Sequence, residues 1–168
     1  MDLGSGLSRV HSLKGLKDLK GITAGNVEIS DLKDMLDDPS GITELQLRGI
    51  TSMDGIASFG NLERLTVRDY PDANLKQLVP LKSLKYLSLE DTGDSDSIIS
   101  TGKDKVRVTD YSAISVMSGL ESLYLNSDII RDIGFIKGLP ALEDLTLEDT
   151  AIILSLIHIS EPTRLRRI

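Results

Sequence analysis

The sequence predicts a solenoid of the α/β class, with a parallel β-sheet on its concave side and 3₁₀ or short helical segments on its convex side. Three observations predict it. An apolar pattern recurs about every 22 residues, and each copy ends in a step that alternates apolar and polar residues. In addition, 40% of the residues are apolar but only 4% are aromatic. That composition suits a stack of thin, similar layers better than one core built around large rings.

Six segments of the chain share this apolar grid, and five of them match it at every position. The fourth grid position falls at residues 19, 42, 62, 84, 120 and 142, so the steps are 23, 20, 22, 36 and 22 residues. This regularity predicts about six stacked coils, and the long step predicts an insertion near residues 91–106. The five regular copies begin at Val10, Met53, Leu75, Tyr111 and Ile133.

The spacing inside a copy predicts the elements of one coil. The last three grid positions are separated by three and then two residues, as in Leu84, Leu87 and Leu89. The step of two predicts a strand with one buried face. The preceding steps of three predict a 3₁₀ turn or a very short helix. Each coil is therefore a strand, a turn and a tight convex segment, and stacked coils place their strands in parallel about 4.8 Å apart.

The second copy, around residues 32–47, departs from the grid. Pro39 stands where the other copies carry an apolar residue, and proline is incompatible with a regular helical turn interior. The sequence therefore predicts that this coil is distorted. Its apolar positions are Leu32, Met35, Leu36, Ile42, Leu45 and Leu47.

The copy from Asp132 to Leu147, DIGFIKGLPALEDLTL, resembles the L-x-x-L-x-L unit of leucine-rich repeats, and the period resembles the bacterial internalin-like class. The resemblance covers residues 10 to about 152. It implies a right-handed horseshoe that binds another protein and belongs to a larger bacterial surface or secreted protein. The chain departs from the family at the Asn that usually follows each strand, so the turn hydrogen bonds are not predicted. Those positions hold Val27, Ile50, Tyr70, Thr92, Asp128 and Thr150.

The grid stops after Ile152. The string LSLIHISEPTR, residues 154–164, resembles the in-frame translation of a sequencing-library adapter. We therefore interpret residues 1–153 as a leucine-rich-repeat fragment and residues 154–168 as a non-native tail; the alternative is a genuine C-terminal cap, which solenoids require. On the adapter interpretation, His158, Glu161 and the tail arginines carry no function.

Both ends of the repeat array predict exposed apolar surface. Val10 opens a coil with no cap before it, which indicates a clipped N-terminus. An open last strand is an aggregation liability, so we expect residues 1–153 alone to be poorly soluble. The residues exposed there would be Leu142, Leu145 and Leu147.

Composition narrows the class of partner. The net charge of −7 disfavours nucleic acid, whose binders concentrate basic residues on one face. The absence of cysteine removes disulfides and thiolate metal sites. The longest apolar stretch, residues 151–159, falls far short of the roughly 20 residues that span a bilayer, so we expect no membrane insertion by this segment. The first residues, MDLGSGLSRVHSL, show no basic region followed by an apolar region, so no signal peptide is visible there. A surface or secreted location therefore rests on the resemblance.

Candidate catalytic and metal-binding residues are few. Asp91, Asp94 and Asp96 of the insertion could ligate calcium, but the EF-hand Gly and Glu are missing. Asp91-Thr-Gly resembles an aspartic-protease triplet without the second carboxylate loop that this chemistry needs. We interpret the insertion as a solvated loop and leave calcium binding open. His11 is the only histidine before the tail, so we predict no enzyme and no cofactor.

The outward residues of successive strands should form columns on the concave face. Arginine and tyrosine, which binding hot spots favour, fall together on neighbouring strands. We predict a protein partner there, with a glycan as the alternative ligand. The alternatives to binding at this face are ordinary solvated residues, a structural repeat spacer, or the substrate-recruiting arm of a multidomain enzyme. The candidate binding residues are Arg48, Arg64, Arg68, Tyr86, Glu90, Tyr124 and Asn126.

Overall fold

The computed structural model of the chain describes residues 2–3, 12–50, 52–69, 75–90, 110–127, 130–150 and 152. The predicted insertion near 91–106 and the tail at 154–168 lie outside these residues. The calcium and adapter hypotheses therefore stay predictions, as does the division into a repeat fragment and a tail.

The strands form one sheet in which neighbours follow the order of the chain, and every pair is parallel. Six strands lie where the grid predicts them, which confirms the solenoid. A seventh, two-residue strand precedes them and was not predicted because its segment lacks the grid. The strands are β1 (Asp2–Leu3), β2 (Gly21–Gly25), β3 (Glu44–Arg48), β4 (Arg64–Arg68), β5 (Tyr86–Glu90), β6 (Ser122–Asn126) and β7 (Asp144–Glu148).

The alternation within the strands separates the core from the concave face. The second and fourth residues of β2 to β6 are all buried, as Leu65 and Val67 of β4 illustrate with no exposed surface. In β7 the equivalent Leu145 and Leu147 are only half-buried and pack against the core from one side. The concave face is the opposite side of β2 to β7, formed by the first, third and fifth residue of each strand.

Short helical segments cover the buried side of the sheet. Grid residues such as Ile56, Leu78 and Ile114 point from these segments into the same core as the strand leucines. Leu16 is an exception, because half of its surface is exposed although it occupies a grid position. The segments are one α-helix, α1 (Ile29–Asp34), and 3₁₀ helices at Pro39–Gly41, Ile56–Ser58, Leu75–Leu78, Ser112–Val116 and Gly134–Gly138.

The second coil is distorted, as its sequence predicts. It contains α1, the one α-helix among the residues described here, and then a separate 3₁₀ turn. Pro39 opens that turn, a position where its missing N–H costs no hydrogen bond. The side chain of Asp38 accepts a bond from the Ser40 backbone N–H at 2.9 Å and so caps the turn.

A turn formed by an Asp or Ser side chain precedes the convex segments, and the apolar grid did not reveal it. The Asp132 side chain accepts a hydrogen bond from the backbone N–H of Gly134 at 2.7 Å, and Asp110 does the same for Ser112 at 2.9 Å. The Ser112 hydroxyl, followed by its backbone N–H, holds the pKa of Asp110 below its usual value. Short polar side chains favour such local bonds at turns. The equivalent residues in earlier coils are Ser12 and Ser52.

Backbone hydrogen bonds hold the turns after several strands, where the asparagine usual in leucine-rich repeats is missing. The residue after several strands has a positive φ, a conformation open to Gly, Asn and Asp. Its N–H bonds to the last carbonyl of the next strand, from Asn26 to Arg48 at 2.8 Å and from Gly49 to Arg68 at 3.0 Å. The side chain at the Asn position is then free to enter the core, as the buried Ile50 does.

Replacing Gly138 with alanine is expected to lower the free energy of unfolding by about 1–3 kcal/mol, the usual cost of overpacking. A Cβ at Gly138 would overlap the backbone oxygen of Ser115 in the preceding coil. Gly60→Ala is the matched control, because a Cβ there meets nothing within 4 Å. Urea unfolding of both variants measures the difference. Equal unfolding midpoints would show that the two coils move apart at Gly138 without loss of stability.

Candidate binding face

The strand register fixes which side chains are neighbours on the concave face. Equivalent residues of β2 to β7 pair directly, so the first, third and fifth residues of the strands form three columns across the sheet. Each column is named here by the strand position that it contains. The first column is Gly21, Glu44, Arg64, Tyr86, Ser122 and Asp144; the third column is Thr23, Gln46, Thr66, Ser88, Tyr124 and Thr146; the fifth column is Gly25, Arg48, Arg68, Glu90, Asn126 and Glu148.

Two arginines of the fifth column are paired with carboxylates of the following coil. Arg48 Nε lies 3.0 Å from Asp69 Oδ2, and Arg68 Nε lies 2.8 Å from Glu90 Oε2. These pairs allow Arg48 and Arg68 to be register neighbours despite their like charge. The arginine side chains are still 62% and 56% exposed. Because of this exposure, both side chains remain accessible to a partner. Exposed pairs contribute at most about 1 kcal/mol each to stability.

Arg64 has a different environment. Its Cζ lies 4.3 Å from the centroid of the Tyr86 ring, on the next strand of the first column. This is a cation–π contact, which holds the planar guanidinium over the ring. Among the described residues, no carboxylate lies within ion-pair distance of Arg64. Its charge is therefore not neutralised as those of Arg48 and Arg68 are.

On β6, side chains donate hydrogen bonds to acidic groups of the last described coil. The Tyr124 hydroxyl donates to Glu148 Oε2 at 2.6 Å, and Asn126 Nδ2 donates to Asp149 Oδ2 at 3.2 Å. The hydrogen bond to Glu148, with partial burial second, raises the pKa of the Tyr124 hydroxyl above 10. These bonds fix the ring and the amide on the face, with carboxylates beyond them.

Replacing Glu148 with glutamine is expected to lower the pKa of Tyr124, because the bond that favours the protonated phenol loses its charged acceptor. Since the folded-state pKa is raised, the bond stabilises the fold fully below pH 10 and is lost as pH rises through that pKa. NMR titration with ¹³C-labelled tyrosine measures the pKa. Glu143→Gln, which removes an exposed carboxylate from just before β7, is the control; an equal fall in both variants would contradict the assignment.

Each of the seven predicted residues takes part in an ion pair, a ring contact or a hydrogen bond, and the structure adds groups that the sequence analysis missed. Ser88, predicted to face outward, is only 1% exposed, between Thr66 and Tyr124 in its column, and its hydroxyl donates to Glu90 Oε1 at 3.1 Å. The acceptors Asp69 and Asp149 were not predicted to reach the face, and Glu148 was not among the candidate binding residues. Asp69 and Asp149 each directly follow a strand. Their turn positions in the sequence gave no sign that they contact the concave face.

The described part of the chain offers little for other kinds of site. No group of three or more His, Cys, Asp or Glu side chains within it could hold a metal ion. None of its helices has the length and apolar character needed to cross a membrane.

Comparison with known proteins supports the fold. No family model and no curated protein matches the chain. Among solved structures, it is similar to internalin C2 (InlC2) of Listeria monocytogenes, with 22% identity and a TM-score of 0.57, over 82% of this chain and 65% of that one. It is also similar to the internalin InlF of the same bacterium, with 22% identity and a TM-score of 0.49, over 82% of this chain and 44% of that one. The chain thus spans less than two thirds of either structure. The InlC2 match shows the leucine-rich-repeat fold.

Proposed function

We propose that the chain is a non-enzymatic module that binds another protein through its concave face. The observation that carries this proposal is the grouping of exposed arginines and half-buried tyrosines on adjacent strands, centred on the Arg64–Tyr86 contact. Arg and Tyr are enriched where interfaces are most strongly held. The ion pairs, ring contact and hydrogen bonds of these side chains also support the proposal, because side chains that are already held in place lose less entropy on binding.

The width of this group of side chains and the arrangement of charge on the face favour a protein over a smaller ligand. The arginine and tyrosine side chains lie on four successive strands, β3 to β6, which span about 14 Å at the usual strand separation. Charges of opposite sign are separated along the sheet: arginines lie on β3 and β4, and acidic groups lie around β7. A partner with an extended complementary surface could contact all of these groups at once. Recognition by charge pattern over such a distance is typical of protein partners.

Site-specific photo-crosslinking tests the proposal on the full chain. A benzophenone amino acid replaces Thr66 in the middle of the concave face, and in a second variant it replaces Ala57, which is exposed on the 3₁₀ helix at Ile56–Ser58. Both variants are irradiated in an extract of the source cells and in their growth medium. Adducts are identified by mass spectrometry, and each protein found is then purified and titrated against the unmodified chain.

We expect adducts specific to position 66, and a purified partner that binds the unmodified chain in direct titration. Irradiation of the position 57 variant reports proteins that contact the convex side or stick non-specifically. Equal adducts from both positions, or adducts from position 57 alone, would overturn the proposal. Turnover of a captured protein by the unmodified chain would overturn its non-enzymatic part.

A further inference from the structure

The three columns of the concave face differ in how their charges are satisfied. In the fifth column, Arg48 and Arg68 are paired with carboxylates of the chain itself. The first column contains three charged side chains with no oppositely charged partner within 4 Å among the described residues: Glu44 on β3, Arg64 on β4 and Asp144 on β7. Arg64 and Asp144 are exposed, whereas Glu44 is half-buried. A partner can therefore gain most from charge pairing along the first column.

The groups between Arg64 and Asp144 leave the two charges separate. Tyr86 and Ser122 occupy the column on β5 and β6, and neither is charged at neutral pH. Three strand separations of about 4.8 Å place Arg64 and Asp144 about 14 Å apart. Over that distance, direct attraction between exposed charges is largely screened at physiological salt. Each charge is thus available to a separate group of a partner.

Glu44 sets the side from which an acidic group reaches Arg64. It is the register neighbour of Arg64 on β3, and its Oε1 accepts a hydrogen bond from Gln46 Nε2 at 3.0 Å. Its negative charge repels a carboxylate that approaches over β3. The other side is open to a carboxylate, because there the guanidinium lies over the uncharged Tyr86 ring. The column therefore offers a cation over β4–β5 and an anion on β7.

We infer that the first column binds an extended segment of a partner protein, with an acidic residue against Arg64 and a basic residue four positions away in the segment against Asp144. An extended chain rises about 3.4 Å per residue, so four residues span the 14 Å. Residues four apart also face the same side of an extended segment, which lets both side chains reach the sheet. This inference rests on the proposed function and adds the charges of the partner segment and their spacing.

A displayed library of random 12-residue peptides tests the inference. The library is selected separately on the unmodified chain, on Arg64→Glu and on Asp144→Lys. Lys33→Glu on α1 is the control, because Lys33 is also a charged side chain but lies on the convex side. Circular dichroism confirms that each variant is folded, which is expected because all three positions are at or near the surface.

Peptides selected on the unmodified chain and on Lys33→Glu should be enriched in one acidic and one basic residue four positions apart. Arg64→Glu should replace the acidic residue with a basic one, and Asp144→Lys should replace the basic residue with an acidic one. A selected peptide should bind at least tenfold more weakly to a single variant and recover when its own matching charge is reversed.

The outcomes separate this inference from the proposed function. Peptides that lose binding when Thr66 is replaced by tryptophan, but show no dependence on positions 64 and 144, would overturn the inference and leave the concave face as the binding surface. Peptides insensitive to every concave variant would count against both. The absence of any enriched peptide on the unmodified chain would also count against the inference.

Discussion

Replacing Leu65 with alanine is expected to lower the free energy of unfolding by about 2–5 kcal/mol. Leu65 is the second residue of β4, has no exposed surface, and lies between Leu45 and Leu87 in the buried leucine column. Truncation removes contacts to the coils on both sides and leaves a cavity that neighbouring coils cannot fill without moving their strands. In a stacked array each coil is stabilised mainly by its two neighbours, so a defect in the middle weakens two interfaces.

Leu145→Ala is the matched control, since Leu145 occupies the same column on β7 but is only half-buried. We expect it to cost about half as much as Leu65→Ala, or less, because less apolar area is removed from contact. Urea unfolding followed by circular dichroism measures both. A fall in the urea dependence for Leu65→Ala would show that the array divides into two units at the defect. Equal losses for the two variants would contradict the burial gradient along the stack.

The apolar grid predicted the fold because a repeated coil has few ways to bury its leucines. Steps of three and two residues, as at Leu84, Leu87 and Leu89, specify a tight turn followed by a strand with one buried face. Once the period is known, the register of the sheet follows, because identical coils stack residue on residue. Pro39 predicted the distorted coil for a related reason, since it breaks the local rule that the other coils obey.

The pairing of the concave side chains was beyond prediction because it depends on geometry across the strands. The sequence indicated that Arg48 and Arg68 share a column, but not that each guanidinium bonds to a carboxylate one coil further on. Asp69 lies after β4, where a positive φ turns the chain, and only the turn geometry brings its carboxylate to the face. The exposure of Leu16 was missed for the opposite reason, because an apolar residue in a regular pattern does not by itself reveal whether a neighbour covers it.

Arg68→Glu and Tyr124→Ala are each expected to weaken binding of a concave-face partner by about 30-fold or more, the effect of losing a hot-spot residue worth about 2 kcal/mol. Charge reversal at Arg68 removes an exposed guanidinium and places a carboxylate next to Glu90. Truncation of Tyr124 removes a ring that its bond to Glu148 holds in place, so the partner loses a contact that needed no ordering. Calorimetric titration of the partner identified by crosslinking measures both affinities.

Lys33→Glu is the control for the charge reversal, because Lys33 also pairs with a carboxylate, Asp34 at 3.5 Å, but on the convex side. It should change the affinity by less than about twofold, since an unbound surface charge acts only through screened long-range attraction. The salt dependence distinguishes the two concave variants: the loss from Arg68→Glu should shrink at high ionic strength, whereas the loss from Tyr124→Ala should persist. Unchanged affinity in both concave variants would show that the partner binds elsewhere, and the grouping of arginines and tyrosines would then be a property of the solvated sheet alone.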